Sequence, residues 1–238
     1  MTKHAWVAVF LFGCGGGGGG RAAVPLADLG SAIGTSYCAK EFACCTDAEV
    51  MADFMSIKLG GQPITTEAQC VELYTGLFMS TAQAQYAASV QDGRAVYDGD
   101  AVAACLDALD AQSCPAFGAG TSLLTGDCAS YLIPQVADGG ACAQSYECTS
   151  DNCVGARTSP AMDGTCQPVP GAGQPCSGLC AAGLTCTFGG TGSETCQPPA
   201  ANGATCTSNA NCTSNYCDRA TDPNKPICAD RPARCDGR

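Results

Sequence analysis

Cysteine constrains this sequence more than any other feature. Twenty-one cysteines occur in 238 residues, a density that marks a disulfide scaffold. A reducing cytosol keeps thiols free, so this many bridges belong to an oxidising compartment. Metal binding and redox chemistry favour cysteines separated by two residues, and no Cys-x-x-Cys occurs anywhere in the chain. The expectation is an exported scaffold with no metal and no cofactor.

The amino terminus reads as an export signal. Lys3 and His4 precede the apolar run Ala5 to Phe12, far shorter than the roughly 20 residues that span a bilayer but suited to a signal peptide. Leu11-Phe12-Gly13-Cys14 resembles a bacterial lipobox, with Phe12 standing where a small or β-branched residue is usual. The resemblance implies lipidation of Cys14, cleavage after Gly13 and acylation of the new amino group. Several acyl chains on one residue anchor stably, where a single chain holds only marginally. Gly15 to Gly20 have no side chains to pack and form a flexible tether. The expected segments are a signal peptide at 1–13 and a lipidated, glycine-rich tether at 14–25. The location is the outer membrane or cell surface, with secretion or the periplasm as the alternative.

Charge and histidine content narrow the function. The formal net charge is −11, which argues against a nucleic-acid partner, whose phosphates need Lys and Arg. The only histidine is His4, inside the expected signal peptide. The mature chain therefore has no Ser–His–Asp or Cys–His nucleophile system and lacks the commonest general base. The expectation is a non-enzymatic protein, with carboxylate-only chemistry as a remote alternative.

Residues 26–137 read as an α-helical, disulfide-stapled domain. Tyr37 to Cys45 carries Cys38, Phe42 and Cys45 along one helical face. Thr46 with Glu49 is a capping-box pattern opening a second helix, with Val50, Phe54 and Ile57 apolar, that runs to Gly60-Gly61. Thr66 and Gln69 open a third, lined by Cys70, Leu73, Leu77 and Phe78 and continuing to about Val90. Asp98 or Asp100 begins a fourth, with Val102, Cys105, Leu106 and Leu109 buried, stopped by Cys114-Pro115. Four short helices bury only a modest core, so Cys38, Cys44, Cys45, Cys70, Cys105, Cys114 and Cys128 reinforce it. Cys44 and Cys45 point about 100° apart on a helix and so should bond different partners.

From 138 onward large aliphatics nearly vanish and the sequence repeats. Repeat 1 (138–170) holds Cys142, Cys148, Cys153 and Cys166. Repeat 2 (171–200) holds Cys176, Cys180, Cys186 and Cys196. Repeat 3 with the carboxy-terminal tail (201–238) holds Cys206, Cys212, Cys217 and Cys228. The first and third share the spacing Cys-x5-Cys-x4-Cys, a repeat signature. Each repeat should be a small β-hairpin-like, knot-like unit with two bridges, first to third and second to fourth, although four cysteines allow three connectivities. If all twenty mature cysteines pair, Cys235 must return to the front half, and Cys128 is the expected partner.

The Gly-x-x-Cys openings (Gly139 to Cys142, Gly173 to Cys176, Gly203 to Cys206) with their spacing resemble the Dickkopf-amino-terminal-like or EGF-like cysteine-rich repeats of bacterial surface proteins. Tyr37-Cys38, Cys44-Cys45, Gly93-Arg94, Tyr97-Asp98 and Ala104-Cys105-Leu106 resemble a group of predicted cysteine-rich lipoproteins of predatory soil bacteria. The resemblance implies fold and location but carries no activity, and no partner follows from it.

Few residues stand out as sites. Asp98-Gly99-Asp100 with Asp92 offers oxygens to calcium, but Asp before a helix is an ordinary cap. The pairs Asp107/Asp110 and Asp47/Glu49 read as solvated surface, and Asn211-Cys212-Thr213 as a chance glycosylation match. Tyr146, Phe188 and Tyr216 lie where no core exists to bury them and are the candidate contact residues, unless they pack against the bridges. The leading expectation is an anchored helical stalk presenting rigid modules to an unknown protein or polysaccharide, or building envelope structure. The alternative is a secreted inhibitor of hydrolases.

Overall fold

The computed structural model describes residues 20–54, 58–59, 62–119, 131–158, 161–176, 178–188 and 194–235. An amino-terminal helical region precedes a disulfide-rich region of small antiparallel sheets. Cys14, Ile57 and Cys128 lie outside the described residues, as do the side chains of Leu77, Phe78 and Phe188.

Helix α1 (Leu29–Cys44) is the hub of the helical region. It begins eight residues before the expected start, because the stretch Gly30 to Ser36 packs through small residues that carry no apolar period. A Cβ on the buried Gly34 would lie 3.0 Å from Cβ of Tyr74, so glycine lets the two backbones approach. Cys45 leaves the helix in an extended conformation. That exit, rather than the angle between helical neighbours, sends Cys44 and Cys45 to different partners.

Helix α2 (Asp47–Asp53) opens with a complete Thr46/Glu49 capping box, and α3 (Glu67–Leu73) with a Thr66/Gln69 box. Both satisfy amide donors that a helix start would leave unpaired. Between them, β1 (Lys58–Leu59) and β2 (Gln62–Pro63) form a hairpin where a longer second helix was expected. A π-helical turn at Tyr74–Phe78 joins α3 to α4 (Met79–Gln91). Strand β3 (Ala95–Tyr97) follows, then α5 (Gly99–Ala111), whose cap is Asp98 accepting from Ala101 N–H at 2.9 Å. Cys114-Pro115 does not simply end α5. It opens a further turn, α6 (Cys114–Gly118), because proline is preorganised for the first helical position and Ser113 supplies the cap.

Two apolar clusters fill this region. One gathers Cys38, Val50, Phe54, Ile64, Cys70, Leu73, Leu109 and Phe117; the other Leu29, Ile33, Val102, Leu106 and Tyr131. Bridges Cys38–Cys70 and Cys44–Cys114 tie α1 to α3 and α6. Cys105 is also disulfide-bonded. Strand β4 (Leu132–Pro134) returns to pair antiparallel with β3. This hairpin has long sequence separation and no local signature.

Each repeat then forms a module. Module 1 has β5 (Ala141–Cys142), β6 (Cys153–Val154), the small hairpin β7 (Arg157–Thr158) and β8 (Ala161–Met162), and β9 (Gly164–Cys166), with sheet order β5-β9-β6. Module 2 has β10 (Thr185–Phe188) and β11 (Glu194–Gln197), and module 3 has β12 (Cys217–Asp218) and β13 (Ile227–Cys228).

The third and fourth cysteines face each other across the strands in all three modules: Cys153 and Cys166, Cys186 and Cys196, Cys217 and Cys228. Each bonds elsewhere, first to third and second to fourth: Cys142–Cys153 with Cys148–Cys166, Cys176–Cys186 with Cys180–Cys196, and Cys206–Cys217 with Cys212–Cys228. The two bridges therefore lie side by side. In modules 1 and 3 their sulfurs make up nearly all of the interior.

Backbone details repeat as well. Gly139, Gly173 and Gly203 take positive φ and donate to the carbonyls of Cys166, Cys196 and Cys228, a conformation glycine reaches without strain. Val136 and Ala200 each bridge to the second cysteine of the module that follows.

Candidate functional site

Three junctions show how the modules are held and where a ligand has room. The first joins the helical region to module 1. The short turn Ser145–Glu147 places Glu147 fully buried, and one of its oxygens accepts from the N–H groups of Ala143 and Gln144. The other oxygen points away from the module and accepts a hydrogen bond from the Ser89 hydroxyl. Arg94 lies 3.5 Å from it, is also ion-paired with Asp92, and lies 3.5 Å from Asp163. The guanidinium is itself partly buried, which opposes its charge, but Glu147, Asp92 and Asp163 outweigh that and hold it more firmly protonated than usual.

Tyr146 belongs to this junction and is half-buried. Its ring meets Tyr86 edge-on at 5.1 Å, and its hydroxyl lies 3.3 Å from Ser89 Oγ. Because the Ser89 hydroxyl donates to Glu147, Tyr146 is the donor there. Tyr86, Tyr131 and Tyr97 continue the row of edge-on rings into the helical core. Burial pushes the Tyr97, Tyr131 and Tyr146 phenols up, so they remain neutral hydrogen-bond donors near neutral pH. The module has no core of its own for Tyr146, and the helical region supplies one.

The second junction closes the chain. Cys235 bonds Cys45, across 190 residues, so the expected partner Cys128 is corrected. The return to the front half stands; the landing point is the extended residue that follows α1. Local geometry fixes it: the Cys235 amide donates to Glu49 at 2.8 Å, and Arg234 pairs at 3.1 Å with the buried Glu41. A Cβ on Gly118 would sit 1.6 Å from the Arg234 carbonyl oxygen, so only glycine admits the returning tail there. The Thr46 backbone N–H, the Cys235 backbone N–H and the Thr46 hydroxyl together lower the Glu49 carboxyl from 4.5 to about 2.

The third junction is a cleft between modules 2 and 3. It has a volume of about 370 Å³ and is lined by Thr187, Gln197, Pro198, Ala200, Thr205, Cys206, Thr207 and Asn211. Asn211 is the module 3 counterpart of Glu147. Its Oδ1 accepts from Thr207 N–H, Ser208 N–H and the Thr207 hydroxyl. No spacing rule marked this cleft, although the alignment of Glu147 with Asn211 was visible in the repeats.

The remaining candidates have ordinary partners. Asp98 is a helix cap and Asp92 pairs with Arg94. Asp107 and Asp110 hold Arg21. Glu49 caps α2 and seats Cys235. Asn211 of the glycosylation pattern is almost fully buried. Tyr216 is half-buried, and its carbonyl accepts from Ala229 N–H.

Groups of three cysteine sulfurs lie within 4.8 Å of one another in every module. All those atoms are in bridges, and a thiolate site would require breaking them. Among the described residues no helix is long and apolar enough to cross a membrane. No family model matches the sequence, and no curated protein or solved structure is significantly similar to it.

Proposed function

We propose that this chain is an exported, non-enzymatic surface lipoprotein. Cys14 anchors it and the glycine run tethers it. The helical region carries three disulfide modules that engage a protein or polysaccharide outside the cell. The observation that supports this reading most is that all nineteen cysteines among the described residues are in bridges, as expected of a protein that works in an oxidising compartment. The lipobox-like Leu11 to Cys14 and the lack of any histidine beyond His4 support the anchor and the absence of enzymatic chemistry.

Intact mass spectrometry of membrane-extracted protein, before and after reduction, tests both halves. The expected result is an acyl mass on Cys14 and a gain of two hydrogens per bridge on reduction. Unacylated protein free in the medium overturns the anchor, and free thiols in the unreduced sample overturn the scaffold.

A further inference from the structure

The chain is strapped to α5 before the first helix begins. The Arg21 backbone N–H donates to Asp107 at 2.9 Å, and its guanidinium lies 3.5 Å from the same carboxylate and 2.6 Å from Asp110. Three residues on, the Val24 N–H donates to the Gly99 carbonyl at 3.0 Å and its carbonyl accepts from the Tyr97 hydroxyl at 2.8 Å. The Val24 side chain is buried in the apolar cluster of Leu29 and Leu106. A Cβ on Gly99 would stand 2.5 Å from the Val24 carbonyl oxygen, so glycine at the start of α5 lets the strap lie this close. The strap runs opposite to the helix, with Val24 at its amino-terminal end and Arg21 beside its last turns. Gly20, where the strap begins, therefore lies at the carboxy-terminal end of α5.

Chain length then limits how far this end can stand from a lipid anchor. Cys14 precedes Gly20 by six residues. Whatever path the intervening residues take, six peptide units reach at most about 22 Å. An acylated Cys14 sits at the edge of the hydrocarbon, and the headgroup layer above it is about 5–8 Å deep. The end of α5 is thus held within about 15 Å of the headgroup surface.

Charge suits this end to that position. The molecule as a whole carries a formal charge of −11, which an anionic leaflet repels. At the strap, Arg21 pairs with Asp107 and Asp110, and Lys40 Nζ donates to the Asp110 carbonyl, at the negative end of the helix dipole. Two cations there cancel two carboxylates. The exposed side chains of α5 beside them are the small Ala104, Ala108 and Ala111. An acidic molecule therefore has a locally neutral, low-profile patch where its tether leaves.

We infer that the carboxy-terminal end of α5, with Arg21, Lys40, Asp107 and Asp110, is the surface that docks on the lipid headgroups, held there by the strap and the short tether. The inference rests on the anchor at Cys14 proposed above and deepens it by naming the face that meets the bilayer.

The test uses the isotopically labelled mature chain, acylated and with its bridges intact, in nanodiscs of phosphatidylethanolamine and phosphatidylglycerol that carry a gadolinium-chelating headgroup. Loss of amide NMR signal should centre on Arg21, Lys40 and the stretch Ala108 to Gln112. A Gly-Ser segment inserted between Gly19 and Gly20 to double the tether leaves the strap and the core untouched. It should weaken that loss and spread it over the surface. Loss centred on another face of the acylated protein overturns the inference and leaves the anchor standing, as does a pattern that the longer tether does not change. A mature chain isolated without acyl groups overturns the anchor instead. Coupled through Cys14 to a maleimide lipid, that chain still reports which face the strap turns to the bilayer, so the two failures are read separately.

Discussion

The helical region and the three modules solve one problem, a shortage of apolar side chains, in opposite ways. In the helical region Leu29, Leu73, Leu106 and Val102 are fully or nearly fully buried, and the bridges brace elements that these residues already hold together. In modules 1 and 3 the interior is almost entirely cystine. Sulfur reinforces a core in the first case and constitutes it in the second. A bridge is therefore worth different things in the two regions even where its loop entropy is similar.

The sharpest way to break that comparison is to remove both bridges of module 1. With Cys142, Cys148, Cys153 and Cys166 all replaced by serine, each lost loop constraint costs about 3 kcal/mol. Module 1 should lose all amide protection while α1 and α5 keep theirs in hydrogen exchange. Removing Cys38–Cys70 should instead lower the melting point of a helical region that still unfolds cooperatively. A protected, folded module 1 without its cystines would end the distinction.

The converse variant acts on the other side. Leu106→Ala opens a cavity in the helical core and should cost about 3 kcal/mol, read as an earlier denaturation midpoint, with module signals in NMR unmoved. A smaller effect is expected where the regions meet. Arg94→Met leaves the buried Glu147 short of its counter-charge. Discounted for the partial exposure of Arg94, the loss is about 2 kcal/mol. Loosened packing of Tyr146 on Tyr86 should reduce near-ultraviolet circular dichroism.

The mildest effect concerns pH. The folded Glu49 carboxyl sits at about 2 against 4.5 ordinarily. Its contribution is therefore full above the ordinary value and is lost as pH falls from about 4.5 through about 2. The Cys235 amide should exchange faster across that window, and Glu49→Gln should flatten the dependence.

What could be read from the residues was whatever is encoded locally. The boxes at Thr46/Glu49 and Thr66/Gln69 and the cap at Asp98 are each written within four residues, and the structure contains all three. The repeats announced two bridges per module and made first-to-third and second-to-fourth the expected pairing among three, which the structure contains. What escaped was non-local. The β3–β4 pairing joins segments far apart in sequence, so no periodicity reports it. The early start of α1 hides among glycines and serines whose role is close approach to Tyr74. Tyr146 looked exposed because its own module is coreless, when the neighbour supplies the burial. For Cys235, parity demanded a return to the front half, but the landing point depends on Gly118, Glu41 and Glu49, which only the folded helices bring together.

The Cys45–Cys235 bond makes the modules a loop fastened to the helical region at both ends. Suppose a protease cuts the proline-containing stretch between modules 1 and 2. The pieces on either side of the cut still share a covalent link, so the molecule sheds nothing. Such a nicked chain would migrate as one species on a non-reducing gel and as two once the disulfides are reduced. An export product exposed to hydrolytic surroundings thereby survives a backbone break that would strip the outer modules from an open-ended string.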